Sequence, residues 1–390
     1  MLELTGKVVL PDRVLERGRV LCDEGKILEI TELPQGVEAP DVWILPGLID
    51  IHNHGAMCHD YMEASEEAFG KIADHLTAHG ITTAQCTTVS APEEQILEFL
   101  AFFRKWTREQ GDALRCRFLG VHIEGPYIAP EAKGAHPLET LRTPEDGYGW
   151  ILENGDIIRE VTIAPELPGM EKMIRDLREK GIVVSGGHDH SEPEDVERAM
   201  ESGMSHCTHI YCAMSTLHKT NGHRRCGLTE YAMTSDDLTA EIIADNHHVP
   251  PLLAKMVYTA KGADGMCIVS DAIAPSGLPE SDAVYSLGTG EDCTKVIVEG
   301  GVAMVEDRSC YAGSVQSLDL MIVNLVKDAG IPMVDAVKMA SLTPARIIGI
   351  EKECGSIEIG KRADLCVMNP QLRVIKTILA GRTAWEKQSD

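Results

Sequence analysis

The residues best suited to chemistry are histidines and carboxylates that each close an apolar run. LPGLIDIHNHG at residues 45–55 ends in His52 and His54, HIEGP carries Glu124, VVSGGH ends at His188, CTHIY holds His209, IIADNHHV holds His247 and His248, and CIVSDA brings Asp271. Imidazole nitrogen and carboxylate oxygen are the usual zinc ligands of hydrolytic sites. Glu124, His188 and His209 form a three-ligand set with room for water, and His52 and His54 share one side of an extended chain, where both nitrogens can face one ion. Taken alone, the pair could equally be surface histidines at a strand–loop junction. Asp271 could cap a helix; beside the other strand ends it reads as a general base. His190 falls in a loop and is expected to be solvated, whereas His122, two residues before Glu124, is expected to support it or to pack.

These residues need a scaffold that gathers strand ends. Between residues 46 and 354, apolar strands alternate with amphipathic helices: LIDIHNH, ITTAQCTTV, RFLGVHIEGP, EVTIAPE, GIVVSGGH, MSHCTHIY, AEIIADNHH and MCIVSDA. Helices are predicted over 92–110, 168–180, 193–202 and 250–261, each opened by a proline suited to a first turn. Eight such units over this length predict an α/β fold with a (β/α)8 barrel, whose chemistry sits at the C-terminal ends of the strands. Residues 1–45 and 355–390 have a different texture. GKVVL, GRVLCDEGKILEI and DVWIL at one end, and GSIEIGKRADLCVM and VIKTILAGRTAWE at the other, alternate apolar and polar residues around glycines. They predict a small β-sandwich domain assembled from both termini, with turns at 23–25 and 34–36.

Composition narrows the partners. With 36 Lys and Arg against 61 Asp and Glu the formal charge is −25, which argues against nucleic acid and against an anionic membrane surface. The N-terminus shows no secretory signal and no apolar run approaches the ~20 residues of a membrane span, so a cytoplasmic location is expected. The 12 cysteines stand singly in apolar stretches, without a C-x-x-C pair, and are expected to be mostly small core residues of a reduced protein.

The segments PGLIDIHNHG, HIEGPY with KGAH, GGH, THIYCAM, IIADNHHV, IVSDA, YAGS and TPARIIG…GSIEIGKRADLCV together resemble the amidohydrolase superfamily and, within it, the N-acetylglucosamine-6-phosphate deacetylase family. The resemblance runs nearly the whole chain; HIEGP with KGAH and TH-x-Y-x-AM are its specific parts. It implies a metal barrel with a terminal sheet domain and a divalent ion, zinc above others, on Glu124, His188 and His209. A second ion would sit at His52 and His54, with Asp271 as acid and base. It further implies that His136 polarises the substrate amide, and that Ala135, Cys212, Ala213, Arg224, His248 and Ala312 contact the sugar phosphate. A homodimer with an arginine reaching into the partner's site is also implied.

Two departures lie on the phosphate side. Cys212 stands where the family has asparagine, removing an amide donor and acceptor, and GHRRCG replaces the family's H-R-E-P-G, so Arg224 aligns only by counting back from Gly227. The expectation is an N-acetylglucosamine-6-phosphate deacetylase. The alternatives are a galactosamine epimer or a non-phosphorylated acylamino sugar as substrate, a cyclic amidohydrolase or deaminase, and a silent scaffold. Cyclic-amide hydrolases of this barrel often bridge two metals with a carbamylated lysine, where this chain has Glu124.

Overall fold

The computed structural model describes residues 1–109, 113–290 and 293–388. Eight parallel strands stand side by side in chain order: Leu48–Asp50, Ile81–Thr88, Arg117–Glu124, Ile158–Ile163, Val183–Gly186, His206–Cys207, Thr239–Ile242 and Met266–Ile268. They are the eight expected units, and helices such as Glu93–Glu109, Met170–Glu179, Pro193–Ser202 and Pro251–Gly265 lie between them. Position 110, where the second helix was expected to end, lies outside the described residues. The ladders are shorter than the apolar runs that signal them. Each run continues past its last paired residue into the barrel mouth, so His52, His54, His188, His209 and Asp271 sit just beyond the hydrogen-bonded strand, whereas Glu124 is the last residue of its own, paired with Thr162.

The seam between the first and eighth strands is closed differently. A single parallel bridge joins Asn53 to Ala272, and Asp271 N–H donates to the His52 carbonyl at 2.9 Å. Below it the Ser270 hydroxyl donates to Asp50 Oδ2 at 2.6 Å, and the Ser270 N–H to Asp50 Oδ1 at 3.2 Å.

Both chain ends meet in one seven-stranded sheet, ordered Arg382–Glu386, Val374–Leu379, Leu365–Met368, Trp43–Pro46, Leu2–Val9, Val14–Asp23 and Lys26–Glu32. Strand periodicity divides its apolar residues between two cores. Val8, Ile44 and Leu365 join Leu15, Val20 and Ile27 on one face, while Val9, Leu45 and Cys366 meet Val337 of helix Met333–Met339 on the other. The alternation in GSIEIGKR does not form a strand here. Gly355 and Gly360 take φ of 88° and 90°, a left-handed conformation that breaks a ladder.

An insertion after the eighth strand, a three-stranded sheet of Tyr285–Leu287, Thr294–Glu299 and Val302–Val305, was not anticipated from the sequence. It reaches over the barrel mouth, where Thr294 Oγ1 donates to the Ala135 carbonyl at 2.6 Å.

Candidate metal and active site

Strand ends deliver the side chains by leaving the extended conformation. His188, His209 and Asp271 have φ of 49°, 22° and 46°, a left-handed region that costs a non-glycine residue roughly 1–3 kcal/mol and that clusters at functional sites. The turn swings each side chain inward at the point where its ladder stops. Three strands bend this way onto one point.

That point is Glu124. Its Oε1 lies 2.9 Å from His209 Nε2 and 3.2 Å from His188 Nε2, and the two nitrogens are 3.1 Å apart. His188 Nδ1 lies 2.8 Å from the Ala132 carbonyl, which can only accept, so the ring proton sits on Nδ1 and Nε2 presents a lone pair. Lone pairs of an imidazole and a carboxylate facing each other at this distance fit a cation between them. His52 and His54 form a second group. Their Nε2 atoms lie 3.4 and 3.2 Å from Asp271 Oδ1, and 3.4 and 3.2 Å from the two Glu124 oxygens. The same-side geometry expected of the pair holds, since the chain stays extended through the Asn53 bridge.

The electrostatics follow from this crowding. Burial alone would raise the Glu124 carboxyl, but the charge of His52 and a hydrogen bond from His136 outweigh it and hold it well below the usual carboxylate range. Asp271 is likewise lowered against its burial, by the charge of His52 and a hydrogen bond from His54, so it is ionised at neutral pH. His52 is driven up against burial by Glu124, Glu241 and Asp271.

His136 arrives on the loop after the third strand and its tautomer is set by the main chain. The Ser90 N–H donates to His136 Nδ1 at 3.1 Å, and the Ser90 hydroxyl lies 2.9 Å from the same atom. The proton is therefore on Nε2, which faces Glu124 Oε2 at 3.3 Å, and burial lowers the ring to about 4, keeping it neutral. The glycine of HIEGP has a reason here. At φ 73°, a Cβ on Gly125 would lie 2.0 Å from Ser90 Oγ and displace the hydroxyl that fixes His136. Gly313 in YAGS plays a similar part, because a Cβ there would lie 2.6 Å from the Asp271 carbonyl.

These groups open into a cavity of about 320 Å3 lined by His54, Glu124, His136, His188, His209 and Asp271 on one wall. The rest of the lining includes Ala135, Cys212, Ala213 and His248, four of the six residues expected around the sugar phosphate. His248 Nδ1 is held by Asp245 at 2.7 Å. Burial pushes the Cys212 thiol up, so it stays protonated. Ala312 does not face the cavity: it is buried behind Tyr311 and Gly313, its N–H bonded to the Ala303 carbonyl. Arg224 is also absent from the cavity wall. It stands on the exposed hairpin His218–Thr220 and His223–Arg225, while its neighbour Arg225 is engaged by Glu192 and Glu194. His247 and His190 are exposed, and His122 is buried with its ring 4.6 Å from His52 and Nε2 2.7 Å from Thr162.

Sequence reasoning missed Tyr211, Ile273, Leu287 and Cys310, which also line the cavity, as does Tyr311 of the YAG segment expected near the sugar phosphate. All but Tyr211 lie after the eighth strand, where no metal-like pattern marks them. It also missed Glu241 beneath His52, whose place inside the apolar run AEIIAD was the available signal.

A sequence profile of the amidohydrolase family matches residues 43–384. The N-acetylglucosamine-6-phosphate deacetylase of Bacillus subtilis (strain 168) is 33% identical, over 98% of this chain and 97% of its own length. The N-acetylgalactosamine-6-phosphate deacetylase of Escherichia coli O157:H7 is 32% identical over 93% of each. Among solved structures, the N-acetylglucosamine-6-phosphate deacetylase of Thermotoga maritima superposes with a TM-score of 0.88 at 31% identity, covering 99% of this chain and 100% of that one. Its family implies a divalent metal, and the convergent His and carboxylate groups are of the right chemistry for one. Among the described residues, no helix is long and apolar enough to cross a membrane. Fold, site and relatives thus agree that the chain belongs to the amidohydrolase family, and within it to the N-acetylglucosamine-6-phosphate deacetylases.

Proposed function

We propose that the protein hydrolyses the acetamide of N-acetylglucosamine 6-phosphate, giving glucosamine 6-phosphate and acetate. The observation that carries this reading is one cavity wall. There His188 and His209 lie within 3.2 Å of Glu124, the neutral His136 N–H faces the same carboxylate at 3.3 Å, and the ionised Asp271 is joined to it through His52 and His54. Glu124, His188 and His209 would hold a zinc ion, with His52 and His54 at a second position shared with Asp271. A divalent ion so placed supplies Lewis acidity, lowering the pKa of bound water from ~15.7 toward ~7.

The chain's own groups do the rest. Asp271 accepts the proton of the attacking water as the new C–O bond forms. His136 donates from Nε2 to the amide oxygen while charge develops there, with Ser90 keeping the ring in that tautomer. Asp271 then delivers its proton to the departing nitrogen, and cleavage of the C–N bond leaves an amine and acetate.

In the rest of the lining, His248 and the main chain at Ala135 and Ala213 would meet the sugar phosphate. Arg224 lies outside the cavity of its own chain, so it would serve an anion only across a contact with a second copy, in a homodimer. The 12 cysteines, none of them in a disulfide, support action in the cytoplasm. Cys212 favours a second reading, an epimeric or non-phosphorylated acylamino sugar, because a thiol cannot replace both functions of an amide. Acetate release measured on N-acetylglucosamine, N-acetylgalactosamine and their 6-phosphates, with metal-stripped and zinc-reconstituted protein, tests both. Fastest release from N-acetylglucosamine 6-phosphate is expected, lost on stripping and restored by zinc. Release from none of the four would refute the deacetylase reading.

A further inference from the structure

We propose that the barrel interior carries a separate cation site, made by Glu160, His206 and Glu241, that takes a divalent ion of the zinc or manganese class. The three residues stand on the fourth, sixth and seventh strands, and each is completely buried. One end of each side chain is anchored. Glu160 Oε2 accepts from Gln85 Nε2 at 3.3 Å, and Glu241 Oε2 accepts from His52 Nδ1 at 2.9 Å and from the His209 N–H at 3.0 Å. His206 Nδ1 lies 2.6 Å from Thr239 Oγ1.

The other end of each is unanswered. Glu160 Oε1, His206 Nε2 and Glu241 Oε1 are buried without a hydrogen-bond partner, and they face one another. His206 Nε2 lies 3.8 Å from Glu160 Oε1 and 3.7 Å from Glu241 Oε1, and all three atoms fall within 4.8 Å of each other. The Thr239 hydroxyl donates to the Ser205 carbonyl at 3.3 Å, so its oxygen accepts from His206 Nδ1–H, which leaves Nε2 as the ring atom that faces the carboxylates. Three potential ligand atoms are thus turned toward the same small space.

Their separations exceed a hydrogen bond. The two His206–carboxylate separations match atoms sharing an ion, since ligands at ~2.0–2.2 Å from one centre stand roughly 3–4 Å apart. Two carboxylates in the dry middle of a barrel require compensation, and a divalent ion accepting mixed imidazole and carboxylate ligands compensates both at once. The ligand atoms are distinct from those that converge on Glu124, and the inference stands whether or not the deacetylase reading does.

The test uses the full chain expressed in medium supplemented with Zn2+ and Mn2+. Crystals measured above and below each absorption edge are expected to show an anomalous peak enclosed by Glu160, His206 and Glu241, separate from any peak at Glu124. Metal analysis of Glu160→Gln is expected to give one ion fewer per chain than wild type. A wild-type map with no anomalous peak among the three residues, including one with ordered water alone there, overturns the proposal. So does an unchanged metal count in folded Glu160→Gln, and if that variant fails to fold the wild-type map decides. Loss of acetate release with the interior peak present would count against the catalytic reading only.

Discussion

The two walls of the cavity are built in different ways. The metal wall stands on barrel strand ends, with His136 brought in by the loop after the third strand: Glu124, His136, His188 and His209 are between 2% and 5% exposed, and the His188 and His136 rings are held by the Ala132 carbonyl and the Ser90 N–H. The distal wall is drawn from loops and from the insertion after the eighth strand. Tyr311 there is 46% exposed, Cys212 replaces the family's amide, and Arg224 sits on a hairpin outside the cavity. Rigid strand ends preserve a reaction, whereas loops leave its substrate open to change. Relatives named for two epimeric sugars match this chain at nearly the same identity, 33% and 32%.

Variants can separate the walls. Asp271→Asn should lower kcat by ~10²–10⁴, the usual contribution of a general acid–base group, with the ion on Glu124, His188 and His209 retained. Near wild-type turnover with the metal in place would remove Asp271 from the reaction. At the distal end, removing the 6-phosphate from the substrate should lower kcat/KM by ~10² or more, because charge-assisted hydrogen bonds contribute roughly 1.5–3 kcal/mol each, and Arg224→Ala should do the same in a homodimer whose second copy carries this arginine to the phosphate. Equal kcat/KM for N-acetylglucosamine and its 6-phosphate would show that this wall does not read phosphate.

The His52→Asn/His54→Asn double variant should lose an ion from each chain, with a smaller effect on turnover, since Glu124, His188 and His209 suffice for the first. An unchanged metal count would mean that the pair holds nothing. The smallest effect is expected from Cys212→Asn, which should shift the preference among N-acetylated sugars by ~10-fold, about one hydrogen bond's worth. An identical substrate profile would place the selectivity elsewhere on that wall.

The legibility of the sequence follows the same division. Strand ends could be read because a charged or imidazole residue after an apolar run is a local signal, and all eight runs are barrel strands in the order expected. The main-chain turns that aim His188, His209 and Asp271 could not be read, because nothing local distinguishes a histidine at φ 49° from one in a strand. The insertion of residues 285–305 looks like the terminal sheet in composition, so its position over the mouth had no signature. Ala312 shows the limit of carrying a role over by alignment: its segment does line the cavity, through Tyr311 and Gly313, while its own side chain points elsewhere. Gly355 and Gly360 show that alternating hydrophobicity is overruled where the backbone must turn.

The seam between the first and eighth strands bears on how the protein is made. Asp50 and Ser270, which clasp it, are 220 residues apart, so its closure carries the greatest loop entropy of any neighbouring strand pair in the barrel. Glu124, His188 and His209 all precede Asp271 in the chain, and their strands can pair before the eighth is available. A growing chain can therefore assemble its metal ligands while the proton-transfer group is still being synthesised. Asp271 joins them only when the last strand docks against the first, through its N–H on the His52 carbonyl.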